Sequence, residues 1–315
     1  MRCAARLCVL IEENRMEAAN KIAIITDTCC DLPQEYLKEY PIFCVPLVVT
    51  SGTESYRDNI DITVETIYAR QKNENFKTSL PRPQDIEDVY SAIARQGYTH
   101  VIVLMIAECL SSANNLMRLA AEEHPELTVK VFDSKSASIG LGALAVQVAR
   151  YAVRGVAFDP LCELTKRLID DTVVYFSLDM LEYLQRGGRI GRATALAGGL
   201  LQIKPILTFD RKDGMISTAA KVRGRRGVQQ RLIELATELA TKHPGEEYNL
   251  VVCDGNVPEE GAALEAALTR ALPNAHRVLH GKIDATLAVH LGPNLLGVGA
   301  VSYTHLRAHE TRSNL

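Results

Sequence analysis

Short apolar runs recur along the chain, separated by stretches in which apolar and polar positions follow helical spacing. Lys21 to Thr26 is a β-branched run ending at Asp27, the pattern of a buried parallel strand whose functional end is its carboxyl terminus. Pro33 opens a helix over QEYLKEY that stops before Pro41, and a second strand is predicted over Ile42 to Val49. Tyr56-Arg57-Asp58 lies in the connection to a helical pattern over Ile62 to Gln71, and Phe76 to Ser79 reads as a loop closed by Pro81 and Pro83. An amphipathic helix follows (PQDIEDVYSAIARQG), with Gly97 as its stop. Strand His100 to Ile106, a helix from Ser111-Ser112 through Glu123, strand Val129 to Phe132, a turn at Asp133-Ser134 and helix Ile139 to Arg154 complete this half. Such alternation of strand and helix predicts an open parallel α/β sheet.

After a linking helix from Asp159 to Asp170 the pattern changes. Short strands are predicted at Val173 to Leu178, Ile206 to Phe209, Met215 to Val222, Asn249 to Asp254, Ala275 to Ile283 and Gly297 to Tyr303, with two long helices among them. Asp213-Gly214 is a hairpin signal, so some of these strands pair antiparallel. The expected organisation is therefore α/β: an N-terminal extension (1–20), an open parallel α/β domain (21–165), a C-terminal α+β two-layer domain (166–303) and a tail (304–315).

Composition narrows this little. Of 315 residues, 47% are hydrophobic and 23% charged, the balance of a globular protein, and a net charge of -3 gives no reason to expect nucleic acid. No apolar stretch is long enough to span a bilayer, which leaves only transient membrane contact open. The opening MRCAARLCVLIEENR reaches glutamates after few apolar residues, unlike a signal peptide, and Met16 is a candidate natural start. Eight scattered cysteines without a CxxC pair read as reduced thiols in a cytoplasmic protein. In the tail, His305 and His309 are spaced i, i+4, but HExxH lacks its glutamate and no third ligand is evident; no metal is expected, and the tail reads as non-native or disordered.

The most informative block is Met180 to Pro205, MLEYLQRGGRIGRATALAGGLLQIKP. Gly187 and Gly188 permit a tight turn that delivers Arg189. The small apolar run Ala193 to Leu201 is either ordinary core or the wall of a narrow apolar cavity, and a cation beside such a cavity suits an amphiphile with an anionic head. Within it, L-E-Y-L-x-x-G-G-R-I followed by L-L-x-I-K-P-I-L resembles the signature of the DegV family of fatty-acid-binding proteins. Other segments fall in the family's order: Thr26-Asp27-Thr28 with Asp31-Leu32, Thr78-Ser79-Leu80-Pro81 against TSQPS, Leu110-Ser111-Ser112 against LSGT, Asp133-Ser134, and His290-Leu291-Gly292-Pro293-Asn294 against HxGPG. Three positions depart from the pattern: Arg82 stands for the last serine of TSQPS, Ser112-Ala113 for the end of LSGT, and Asn294 for the last glycine of HxGPG.

The resemblance implies a protein that binds a long-chain fatty acid between two domains. Its carboxylate would be held by Thr78, Ser79, Ser111, Ser112, Arg189 and His290, while Asp27, Gly187, Gly188 and Gly292 shape the cavity and its turns. Read without the family, the hydroxyls at Thr78 and Ser111 suit helix capping better than ligand binding, and Ser112 can cap while Ser111 faces the ligand. His290 alone would be a hydrogen-bonded core residue. The resemblance further implies a partner, a fatty-acid kinase that converts the bound acid to acyl phosphate for phospholipid synthesis. The basic run KVRGRRG, with Arg223, Arg225 and Arg226, is then a docking surface; otherwise it is a solvated helix start. No cofactor and no catalytic residue are expected. GxSxG, Walker A, HExxH and GxGxxG patterns are absent from the sequence. The alternative is a small-molecule hydrolase or phosphotransferase using Asp27 or Asp133, although the DxD of aspartyl-phosphate enzymes would need an acid where Cys29 stands.

Overall fold

The structure, a computed structural model, describes residues 21–196, 203–241 and 247–303; the expected extension (1–20) and tail (304–315) lie outside the described residues. The first half opens with β1 (Ile22–Asp27), a 3₁₀ turn at Thr28–Cys30, α1 (Gln34–Glu39) and β2 (Ile42–Val45). The strand expected over Ile42 to Val49 is in fact two, because Pro46 has no N–H to give the ladder; the chain bends there and continues as β3 (Val48–Ser51). β3 pairs antiparallel with β4 (Glu54–Arg57) on one side and β5 (Phe76–Ser79) on the other, past the intervening α2 (Val64–Arg70). The expected loop at Phe76 to Ser79 is thus a strand, Thr78 standing opposite Val49. Four residues of mixed polarity are too few to show a period, and the partner that orders them is remote in sequence.

After α3 (Pro83–Arg95) come β6 (His100–Met105), α4 (Ala113–Ala121), β7 (Thr128–Asp133) and α5 (Ser138–Val153). The expected open parallel sheet is present, in the order β2-β1-β6-β7. All six residues of β1 are buried, as a strand covered on both faces requires. From β1 the chain moves outward to β2 and later returns to the other side as β6. The carboxyl ends of β1 and β6 therefore form a topological switch point, the place where an open α/β sheet leaves a crevice.

The second half contains α6 (Phe158–Asp171), β8 (Val173–Ser177), α7 (Glu182–Arg186), a 3₁₀ turn at Gly191–Leu196, β9 (Ile203–Phe209), β10 (Ile216–Arg223), α8 (Gly224–Thr241), β11 (Glu247–Gly255), α9 (Pro258–Ala271), β12 (Arg277–Lys282), α10 (Ala285–Leu291) and β13 (Leu295–Tyr303). Its strands form one mixed sheet, β10-β9-β8-β13-β11-β12, parallel only between β11 and β12. The β9–β10 hairpin turns at Asp213-Gly214, with Gly214 at φ 71°. Residue 165 lies inside α6, which we propose as the junction between the two domains.

α5 joins the layers. Thirteen of its 16 residues are buried, so it is apolar nearly all round, as a helix enclosed on every side must be. Two glycines let it approach both neighbours. A Cβ on Gly140 would stand 2.5 Å from Val174 Cγ2 in the mixed sheet, and one on Gly142 would stand 2.3 Å from the Cys30 carbonyl beyond β1. The mixed sheet divides the apolar interior by its period of two: Val174 and Phe176 join the core shared with the parallel sheet, whereas Val173 joins the core under α8 and α9.

Candidate functional site

A cavity of about 340 Å³ lies between the switch point of the parallel sheet and the inner face of the mixed sheet. Its size falls within the range of ligand pockets, about 300–1,000 Å³. The apolar body is built by alternation. Val174 and Phe176 of β8 face it, Leu295 and Gly297 do so from β13, and Phe209 and Ile216 come from the strands of the hairpin. From the other layer come Leu47, Ile106 and Leu110, and from α10 Leu287 and Leu291. Ala193 is buried but does not line it, and positions 197–201 of the small-residue run lie outside the described residues.

Polar groups gather at one part of this wall. Thr78, Ser79, Ser111, Ser112, Arg189 and His290 all line the cavity, although they come from β5, the β6–α4 loop, the turn after α7 and the end of α10. Thr78 Oγ1 lies 2.7 Å from His290 Nε2. Arg189 donates from Nε to the Leu110 carbonyl at 3.2 Å and from Nη1 to the Gly187 carbonyl at 2.7 Å, which fixes its guanidinium beside the serine loop. Burial first, then the positive charges of Arg189 and Arg186, lower the His290 pKa to about 4, so its ring is neutral near pH 7. Its Nδ1 is buried without a partner among the described residues.

The glycines explain how these groups meet. A Cβ on Gly187 would stand 2.1 Å from His290 Nδ1, so only glycine lets the imidazole lie against that turn. Gly188 holds φ 71° and leads into Arg189. Gly292 holds φ 66°, and a Cβ there would enter the Tyr183 ring at 2.5 Å. Capping at the serine loop is the reverse of the arrangement entertained from sequence: Ser111 Oγ accepts from the Ala113 N–H at 3.3 Å, and the N-cap residue Ser112 makes no side-chain capping bond.

A sequence model described as "Uncharacterised protein, DegV family" matches residues 21–303. The chain belongs to the DegV family. A DegV domain-containing protein of Clostridium acetobutylicum is 33% identical over 279 residues, covering 88% of this chain and 98% of its own length. One from Clostridium perfringens is 34% identical, covering 88% and 97%. Among solved structures, a fatty-acid-binding DegV family protein of Thermus thermophilus superposes with a TM-score of 0.82 at 30% identity, covering 90% of this chain and 99% of its own. A stearic acid-binding protein of Eubacterium ventriosum gives 0.81 at 28% identity, covering 89% and 98%.

Other expected residues of this DegV chain take different places. Asp27 is in the turn and not in the cavity wall: fully buried, it accepts from Cys29 N–H at 2.9 Å and from Ile106 N–H at 2.7 Å, tying the end of β1 to the end of β6. Burial raises its pKa to about 7 despite those two bonds. Asp133 accepts from the Glu108 and Lys135 N–H groups, each at 3.0 Å, and is likewise outside the cavity. Both carboxylates put forward for an enzymatic alternative are thus occupied with backbone. Arg225 is held internally by Glu260 at 2.8 Å and the Asn294 carbonyl at 2.7 Å, which removes it from the expected docking surface; Arg223 and Arg226 are exposed.

Of the departures from the family pattern, Arg82 reaches the Ser55 carbonyl at 3.0 Å and does not line the cavity. Asn294 takes φ 68°, which asparagine tolerates better than most residues, and donates to Asp179 at 2.8 Å. Ser138, Cys253 and Thr286 also line the cavity, and nothing in the sequence marked them. No described helix is long and apolar enough to cross a membrane, and no group of His, Cys, Asp or Glu among the described residues is arranged for a metal ion.

Proposed function

We propose that this protein encloses a long-chain fatty acid, tail in the apolar cavity and carboxylate at Thr78, Ser111, Arg189 and His290, and presents that head group to a separate fatty-acid kinase. The observation that carries the reading is the gathering of these four side chains from distant parts of the chain on the wall of one apolar cavity. The similarity to a fatty-acid-binding DegV family protein of Thermus thermophilus and a stearic acid-binding protein of Eubacterium ventriosum supports it. So does energy: at about 0.8 kcal/mol per buried methylene, a palmitate-sized tail contributes on the order of 10 kcal/mol before the cost of association. Ser79 and Ser112 edge the same site.

A carboxylate there accepts from the hydroxyls and is kept ionised by Arg189. Neutral His290 donates or relays a hydrogen bond without a competing charge. An ionised oxygen is the nucleophile that a phosphoryl donor requires, and this chain holds and orients it while the kinase supplies the donor. Arg223 and Arg226, exposed beside the first turn of α8, suit an acidic partner surface. The test is a reconstituted assay with a fatty-acid kinase. Ser111→Ala and Arg189→Ala are expected to co-purify with fatty acid, detected by mass spectrometry after gentle denaturation, and to lose acyl-phosphate formation by at least about tenfold, the effect of one lost charge-assisted contact. Wild-type rates from both would remove those residues from the head-group site.

A further inference from the structure

The turn that carries Arg189 and the helix end that carries His290 touch at more than the head-group site. Residues 179–187 and 290–294 pass each other in opposite directions and meet at successive places. Gly187 lies against the His290 imidazole, and further back Gly292 lies against the Tyr183 ring; in both places a Cβ on the glycine would overlap its neighbour. Further still, Asn294 Nδ2 donates to Asp179 Oδ2 at 2.8 Å. The first two contacts are packing against glycine, which has no side chain to grip with. The third is a directed bond that fixes one segment to the other.

Both partners of that bond are themselves held. Lys204 Nζ donates to the Asp179 carbonyl at 3.1 Å and to its Oδ1 at 3.2 Å. Asn294 donates its N–H to the Gly255 carbonyl at 2.6 Å, and its own carbonyl accepts from Arg225 Nη1 at 2.7 Å. Arg225 is in turn anchored on Glu260 at 2.8 Å, so this arginine of the basic run braces the loop after α10. Neither Asp179 nor Asn294 lines the cavity. The glycine of the HxGPG pattern, for which Asn294 stands, could keep φ 68° and both backbone bonds but has no side chain to reach Asp179.

We propose that Asp179 and Asn294 are positioning residues, whose bond fixes the α10 end to the turn after β8 and thereby holds the His290 ring against Gly187, where its Nε2 meets Thr78. The inference rests on the fatty-acid reading above and deepens it by saying how the head-group site is set. The bond acts on recognition of the carboxylate. The apolar wall depends on it less, because β8, β9 and β13 are held by pairing within their own sheet.

The test separates head group from tail by competitive binding of octadecanoic acid and octadecanol, which share one chain, to the delipidated full chain. The wild type is expected to prefer the acid. Asn294→Gly, which suits the positive φ and keeps both backbone bonds, is expected to lower that preference about threefold to tenfold, the range of one net hydrogen bond, with octadecanol affinity unchanged. Asn294→Asp, which keeps the shape but sets a second acceptor against Asp179, is expected to lower it at least as far. Combining it with Asp179→Asn restores a donor and an acceptor in exchanged places and should recover most of the preference. A role in stability alone would weaken acid and alcohol alike. A preference that survives both single Asn294 variants, an equal loss for the two ligands, or no recovery in the exchanged pair would overturn the inference while leaving fatty-acid binding intact. A wild type that binds neither ligand, or does not distinguish them, would overturn the head-group reading and this inference with it.

Discussion

At the scale of single residues, the site depends on a contact that no local pattern reveals. His290 lies against the backbone of Gly187, more than a hundred residues earlier in the chain, and points its Nε2 at Thr78. Gly187→Ala places a methyl group where the imidazole now sits, so the ring must rotate away and Thr78 loses its partner. We expect this variant to fold, because Gly187 has φ -75°, a value alanine accepts readily, and to bind fatty acid at least about tenfold more weakly in a fluorescent-fatty-acid displacement assay. Unchanged affinity would show that the ring's position against the turn does not matter. The double glycine was legible as a turn, and Arg189 as its product. That Gly187 also makes room for a histidine from another element was not legible, because the reason lies in the folded contact alone.

At the scale of elements, α10 is held at its start by buried carboxylates. Asp58 accepts from the Ala285 and Thr286 N–H groups at 3.2 and 3.1 Å, Asp284 accepts from Leu287 N–H at 2.6 Å, and Asp31 accepts from Asp284 N–H. Burial raises Asp31 to about 8 and Asp284 well above the carboxylate range. The folded state therefore keeps protons that the unfolded chain has released above about pH 4, and stability falls as pH rises through the folded values. The urea midpoint is expected to be lower at about pH 9 than at about pH 6.5, with a smaller drop in Asp31→Asn; an equal or higher midpoint at alkaline pH would contradict this arrangement. Neither α10 nor the pairing of β3, β4 and β5 into an antiparallel trio was anticipated from sequence; of the trio, only Val48 and Val49 fell within an expected strand. The helix is short, and the trio's strands are short, partly polar and ordered by remote partners. The longer segments were legible: the four parallel strands, the amphipathic α3, and α5 as a helix, though not its burial on every side.

At the scale of the whole molecule, two sheets and the helix between them leave one apolar cavity against the switch point, and the polar groups meet on its wall. Sequence motifs indicated the polar residues that meet on the cavity wall because they are contiguous and carry chemistry. They did not indicate the wall that would hold the tail, which is made of alternate positions on β8, β9, β10 and β13, each an ordinary strand residue until the sheet is assembled. The central claim is most directly tested by the crystal structure of this protein soaked with stearic acid after delipidation. The account predicts continuous elongated density inside the cavity, with the carboxylate within about 3 Å of Thr78 Oγ1 and Ser111 Oγ and beside Arg189 and His290. An empty cavity, or an acid bound elsewhere with its carboxylate away from those four side chains, would contradict it.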